Sequence, residues 1–106
     1  YKVSKVTKRQ AQNVASFKKF INVNIVRKSN NFLLEVSALD HPGLLSKICE
    51  SMDSCNLMVK DAKIATLGEE ANDVFLVVPA NNKTYLDKDI DNIKHNIEHK
   101  ISELYN

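Results

Sequence analysis

From Phe20 onward the chain alternates apolar and polar side chains, with Ile21, Val23 and Ile25 separated by Asn22 and Asn24. A period of two places those three apolar groups on one face of an extended strand. The polar run Arg27-Lys28-Ser29-Asn30-Asn31 reads as a hairpin loop of about five residues, and Phe32 to Ala38 resumes the alternation through Leu34, Val36 and Ala38. Two neighbouring antiparallel strands are expected. The spacing then changes: Leu44, Leu45, Ile48, Met52 and Cys55 recur at helical intervals while Lys47, Glu50 and Asp53 fall elsewhere. Asn56 stands where a helix ends in the left-handed region, which Asn tolerates better than most residues.

Leu57 to Thr66 is again extended, but Lys60 and Asp61 interrupt its apolar phase, the mark of a bulge or an edge strand. Gly68 with Glu69 and Glu70 makes a turn. Asn72 to Val78 follows, Val74, Leu76 and Val78 alternating with Asp73, Phe75 and Val77; its β-branched content suits a central position in a sheet, and Pro79 ends it. The last element predicts the clearest helix, with Leu86, Ile90, Ile93, Ile97, Ile101 and Leu104 at steps of three and four behind the acidic Asp87, Asp89 and Asp91. Too few heptads are present for a coiled coil, so this stripe is expected to pack on a sheet. The order ββαββα predicts an α+β two-layer sandwich, a four-stranded antiparallel sheet with two helices on one face.

A chain of 106 residues, 43% hydrophobic and 26% charged, fits one soluble globular domain, and no apolar run approaches the ~18 residues a membrane helix needs. Its net charge of +2 hides an asymmetry. No acid occurs before Glu35, whereas Lys2, Lys5, Lys8, Arg9, Lys18, Lys19, Arg27 and Lys28 precede it. Residues 1 to 18 are therefore expected to form a basic linker or arm, part helical around Arg9 to Lys18, with the domain proper over residues 19 to 106. The arm has few Arg and no interleaved aromatics, so a nucleic-acid partner is not expected. Cys49 and Cys55 are too few for a disulfide framework or a zinc cluster, which with the missing membrane span suggests a cytoplasmic setting. Because Tyr1 opens the chain without an initiator Met, the sequence is expected to be part of a longer protein.

Little in the sequence is suited to catalysis. There is no P-loop, no GxGxxG and no paired-carboxylate motif; Asp40 with Asp61 is the nearest approach, and Asp40 better suits a turn before a helix. His95 and His99 share a helical face but have no third ligand nearby, so no metal is expected. Cys49 reads as a small core residue of the apolar stripe. The informative stretch is Asp40-His41-Pro42-Gly43-Leu44-Leu45, which uses one of two prolines and one of two glycines to join a strand to a helix. Pro42 suits a first helical position, and Gly43 leaves bare backbone beside the free N–H groups of the helix start. This is a place to hold a small ligand rather than to transform one.

The run from Glu35 to Leu45 resembles the first strand and ligand loop of ACT domains, small amino-acid-sensing modules of metabolic enzymes. A second run, Ile64-Ala65-Thr66-Leu67-Gly68-Glu69 followed by Asp73-Val74-Phe75 and Val77, is similar to the C-terminal ACT repeat of the bacterial PII uridylyltransferase/uridylyl-removing enzymes. That resemblance implies an ACT-like (ferredoxin-like) fold and a regulatory domain that binds an amino acid, glutamine in that family, without catalysis or cofactor of its own. The parent would be a nucleotidyltransferase acting on PII. It also implies a site in which Gly43, Leu44 and Leu45 offer N–H groups to the ligand carboxylate and Asp40 receives its ammonium, with His41 and Pro42 shaping the loop. Lys60 and Asp61 would complete the pocket across an edge-to-edge pairing with another ACT domain, in a homodimer or a tandem repeat. The pattern departs at Met58, where many relatives carry an Asn able to bond a ligand. The alternative is a dimerisation module of another metabolic or stringent-response protein that binds no ligand in this copy.

Overall fold

The computed structural model describes residues 20 to 82 and 84 to 105. Four strands and two helices follow one another as β1 (Asn22–Lys28), β2 (Asn31–Leu39), α1 (Leu44–Ser54), β3 (Leu57–Leu67), β4 (Glu70–Pro79) and α2 (Asp87–Ser102), closed by a 3-10 turn at Glu103–Tyr105. The sheet order is β1-β2-β4-β3, and every neighbouring pair is antiparallel. This is the α+β arrangement of an ACT-like, ferredoxin-type fold, with β4 in the central position its composition suggested. The expected basic arm over residues 1 to 18, with the helical stretch expected around Arg9 to Lys18, falls outside the described residues.

Period-two patterning determines which side of the sheet is buried. Val23 on β1, Phe32, Leu34, Val36 and Ala38 on β2, and Ala71, Phe75 and Val77 on β4 form one layer, and Leu44, Ile48, Met52, Ile93, Ile97 and Ile101 from the helices cover it. On β4 the inward phase is the one containing Asp73, so a carboxylate enters the core layer. At roughly 1.5 to 3 kcal/mol for each fully buried aliphatic side chain, the three buried isoleucines of α2 make that helix the main clamp on the sheet. No helix is long and apolar enough to cross a membrane among the described residues.

Several expectations are corrected by local geometry. The hairpin loop has two residues, not five: Lys28 pairs with Asn31, and Ser29 takes the positive φ of 58° that so tight a turn demands. Leu45 and Cys49 are exposed, because the buried seam of α1 runs through Leu44, Ile48, Ser51 and Met52 and the next row of side chains turns to solvent. Leu86 is 57% exposed, since it is the extended N-cap residue of α2 and its backbone swings the side chain off the helical stripe. Its N–H is held by the Asp89 side chain at 2.8 Å. Asn56 adopts φ 57°, as its position after α1 predicted.

β3 is the edge strand and carries the expected irregularity. Its register on β4 slips between Val59 and Asp61, leaving Lys60 without a partner. Beyond Leu57 the whole strand is exposed, including Met58, Val59, Ile64 and Leu67.

Candidate functional site

The junction of β2 and α1 is built differently from the sequence reading. Pro42 is not the first helical residue: His41 to Leu44 form a reverse turn in which the Leu44 N–H donates to the His41 carbonyl at 3.0 Å. Gly43, at φ 86° and ψ −1°, has the dihedrals of the third residue of a type II turn, with Pro42 in the second position that proline favours. Gly43 is also the N-cap of α1, and its carbonyl accepts from the Lys47 N–H at 3.0 Å. Since the turn consumes the Leu44 N–H and no side chain caps the helix, the open donors at this end are the N–H groups of Leu45 and Ser46. No acidic side chain occupies the first turn of α1. The positive end of its dipole therefore faces outward unneutralised.

A hollow of 210 Å³ lies over this turn, bounded by Asp40, His41 and Gly43 to Ser46 on one side and by Ile64, Thr66, Ala71 and Asp73 on the other. The structure thus brings together five of the eight residues that the sequence proposed, Asp40, His41, Gly43, Leu44 and Leu45, while Pro42 shapes the turn. Lys60 and Asp61 stand farther along β3 and do not line it. Its second wall instead comes from Ile64 and Thr66, opposite Asp73 and Ala71 in the β3–β4 register. Ser46, Thr66 and Asp73 were missed by sequence reasoning. The detectable signal was an Asp in the same phase as Phe75 and Val77, a charge where the strand should bury a hydrocarbon.

Asp73 is 3% exposed. Burial pushes its carboxyl up from the ordinary range; the Ala65 N–H, 3.3 Å from Oδ1, works against that shift, and the charge of Asp40 adds to it. Asp40 itself is exposed, and its N–H donates to the Glu69 carbonyl at 2.7 Å, tying the loop to the β3–β4 turn. His41 donates from Nδ1 to the Pro42 carbonyl at 2.7 Å. The His41 ring stands edge-on to Tyr105 at 5.5 Å, and the Tyr105 hydroxyl donates to the Leu39 carbonyl. Burial, with a smaller contribution from Asp40, pushes the Tyr105 phenol up to about 12, so it stays a neutral donor. Tyr105 had no role in the sequence reading; it secures the last strand residue before the loop.

The arrangement is bipolar: unpartnered amides on one side, carboxyl groups on the other, within a few side chains of each other. It contains no nucleophile with an adjacent base. No group of three or more His, Cys, Asp or Glu residues able to hold a metal occurs among the described residues. The volume lies below the ~300 to 1,000 Å³ of pockets that enclose drug-sized ligands, and one side is open. A small polar molecule fits.

Comparison with known proteins gives a partial match to one type of enzyme. The chain is 47% identical over 58 residues to the bifunctional uridylyltransferase/uridylyl-removing enzyme of Pseudomonas aeruginosa, and 45% identical over 58 residues to that of Ectopseudomonas mendocina; each match covers 55% of this chain and 6% of the relative. The enzyme of the same name from Hydrogenovibrio crunogenus is 45% identical over 51 residues, covering 48% of this chain and 6% of the relative. The chain thus spans a small fraction of the length of the curated relatives it matches. No protein-family model matches it. No solved structure matches it either. About half of this chain is therefore similar to one short segment of the bifunctional uridylyltransferase/uridylyl-removing enzymes.

Proposed function

We propose that the chain is the amino-acid-sensing ACT domain, C-terminal in its parent, of a uridylyltransferase/uridylyl-removing enzyme that modifies PII, and that its ligand is glutamine. The observation that carries this reading is the bipolar hollow at the Gly43 turn. A free amino acid is a zwitterion: its carboxylate suits the N–H groups of Leu45 and Ser46 at the positive end of α1, and its ammonium suits Asp40. A phosphate would meet Asp40 at the rim and Asp73 behind it. The similarity to uridylyltransferase/uridylyl-removing enzymes supports the parentage. Sensing is regulatory, with glutamine biasing a catalytic domain elsewhere in the parent between adding and removing uridylyl groups. Calorimetry of the chain with glutamine tests the ligand. Weak saturable binding is expected, abolished by Gly43→Val and weakened by Asp40→Asn, which leaves the turn's backbone bonds intact. Absent heats in the parent chain, or unchanged heats in folded Asp40→Asn, would refute the site.

The exposed β3 edge favours a second element of this reading. Met58, Val59, Ile64 and Leu67 are open to solvent along a strand that pairs only with β4, and the hollow reaches that strand at Ile64 and Thr66. A second ACT domain pairing along β3, from another copy or a tandem repeat, would close the hollow and bring its own Lys60 and Asp61 near the ligand. Light scattering checks this: a dimer is expected, reduced to monomer by Ile64→Lys. A dimer that persists without any metabolite binding would favour a purely structural module.

A further inference from the structure

A second hollow, larger than that at the Gly43 turn, lies at the opposite end of the sheet, where β2 begins and β4 ends, with a volume of 480 Å³. That volume falls in the range of small-molecule sites. Its chemistry differs from that of the first hollow. Among the described residues, two cations, Arg27 and Lys60, line it and no acidic residue does; the remainder is amide and hydroxyl groups, including Asn30 and Asn82, over an apolar floor that includes Phe32 and Tyr85. Phe32 and Tyr85 pack with ring centroids 6.0 Å apart, and the Arg27 guanidinium sits 5.3 Å from the Phe32 centroid.

The two cations are held differently. Arg27 donates through Nη2 to the Tyr85 carbonyl at 2.5 Å and has the fully exposed Asp87 at 3.9 Å, a solvent-screened pair that fixes the guanidinium without using its other N–H groups. Lys60 has no ion pair among the described residues. Its neighbour Asp61 accepts the Ala62 N–H at 2.9 Å. A second, independent feature points the same way. The β-bulge on β3 sets Lys60 out of register with β4, and a bulge is a device for re-aiming one side chain of an edge strand. The residue so freed is the one that brings the second cation to the hollow.

The geometry points to an anion-accepting site here: Lys60, with Arg27, binds a small organic anion, a carboxylate or phosphate ester carried on an apolar or aromatic body. The charged group meets the cations and the asparagine amides while the body lies against the apolar floor. This site does not depend on a ligand at the Gly43 turn, and it uses Lys60 within its own chain rather than from a pairing partner. Amide chemical shifts of the isotopically labelled chain provide the test, with phenyl phosphate and benzoate as anionic probes and benzyl alcohol as the neutral one. Saturable shifts at Asn30, Lys60 and Asn82 are expected from at least one anion, and the anion that saturates at lower concentration identifies the headgroup. Lys60→Gln should weaken that binding about threefold to fivefold, and Lys60→Arg should retain it. The proposal is overturned by no saturation, by equal shifts with benzyl alcohol, or by unchanged affinity in Lys60→Gln. Shifts confined to Leu45 and Ser46 would also overturn it, since the anion would then occupy the other hollow. Failure of glutamine to bind at Gly43 would leave the expected shifts unaltered.

Discussion

Replacing Gly43 should damage the domain through its backbone rather than through steric overlap, and the two causes can be separated. A Cβ built at this position meets only Leu104 Cδ2, at 3.7 Å, which is an ordinary contact. The left-handed φ of 86° is the obstacle, because an L-residue in that region suffers about 1 to 2 kcal/mol from its own Cβ. A Gly to Ala change also restricts the unfolded chain, worth about 0.4 to 1 kcal/mol in the opposite direction where the native conformation permits it. The net loss for Gly43→Ala is therefore ~1 kcal/mol, which in a domain of this size lowers Tm by about 4 to 8 °C. Gly43→Asn should cost less, since Asn visits the left-handed region more readily, and Gly43→Val should cost most, since a β-branched residue there is a severe outlier. Thermal unfolding followed by circular dichroism measures all three. An Ala variant as stable as the parent, or the ranking Asn worse than Ala as bulk alone would give, would refute the turn geometry on which the candidate site rests.

Two further expectations concern the core. Ile97→Ala, at a fully buried position on α2, should cost ~2 to 5 kcal/mol, seen as a lower urea midpoint with an unchanged slope. Asp73→Asn should make stability less dependent on pH: a carboxyl whose folded pKa is raised favours the fold while neutral, and that advantage is lost as pH climbs from the ordinary carboxylate range through the raised folded value. Denaturation midpoints of parent and variant should accordingly be close near pH 3 and separate in favour of Asn toward pH 7, where its carbonyl still accepts the Ala65 N–H. A gap that narrows with rising pH would contradict the burial argument.

What could be read from the chain was whatever depends on nearest neighbours and repeat period. Alternation fixed β1, β2 and β4, the helical stripe fixed α2, and the broken phase at Lys60 and Asp61 announced both the bulge and the edge. The misses arise where one residue's environment is decided by elements distant in sequence. Leu45 and Cys49 have the right residue types for a buried stripe but lie one row beyond what the sheet covers. Asp73 faces inward because Phe75 and Val77 do, and its part in the hollow depends on the pairing of β3 with β4. The loop's residues were identified without its conformation: Pro42 and Gly43 suit either a helix start or a type II turn, and the Leu44 bond to His41 selects the turn. Lys60 was assigned to the glycine turn of a pairing domain; within its own chain it lines the hollow at the other end of the sheet.

Tyr105 joins the last turn of the described chain to Leu39 and stacks its ring edge against His41. The Asp40–Gly43 loop and the end of the described chain are consequently coupled in series. A metabolite that tightens the loop would stiffen the terminal turn, and a pull applied at residue 105 would reach the end of β2 and the loop together. A label attached near that end would therefore act as a reporter of occupancy, but it would also perturb the loop it reports on.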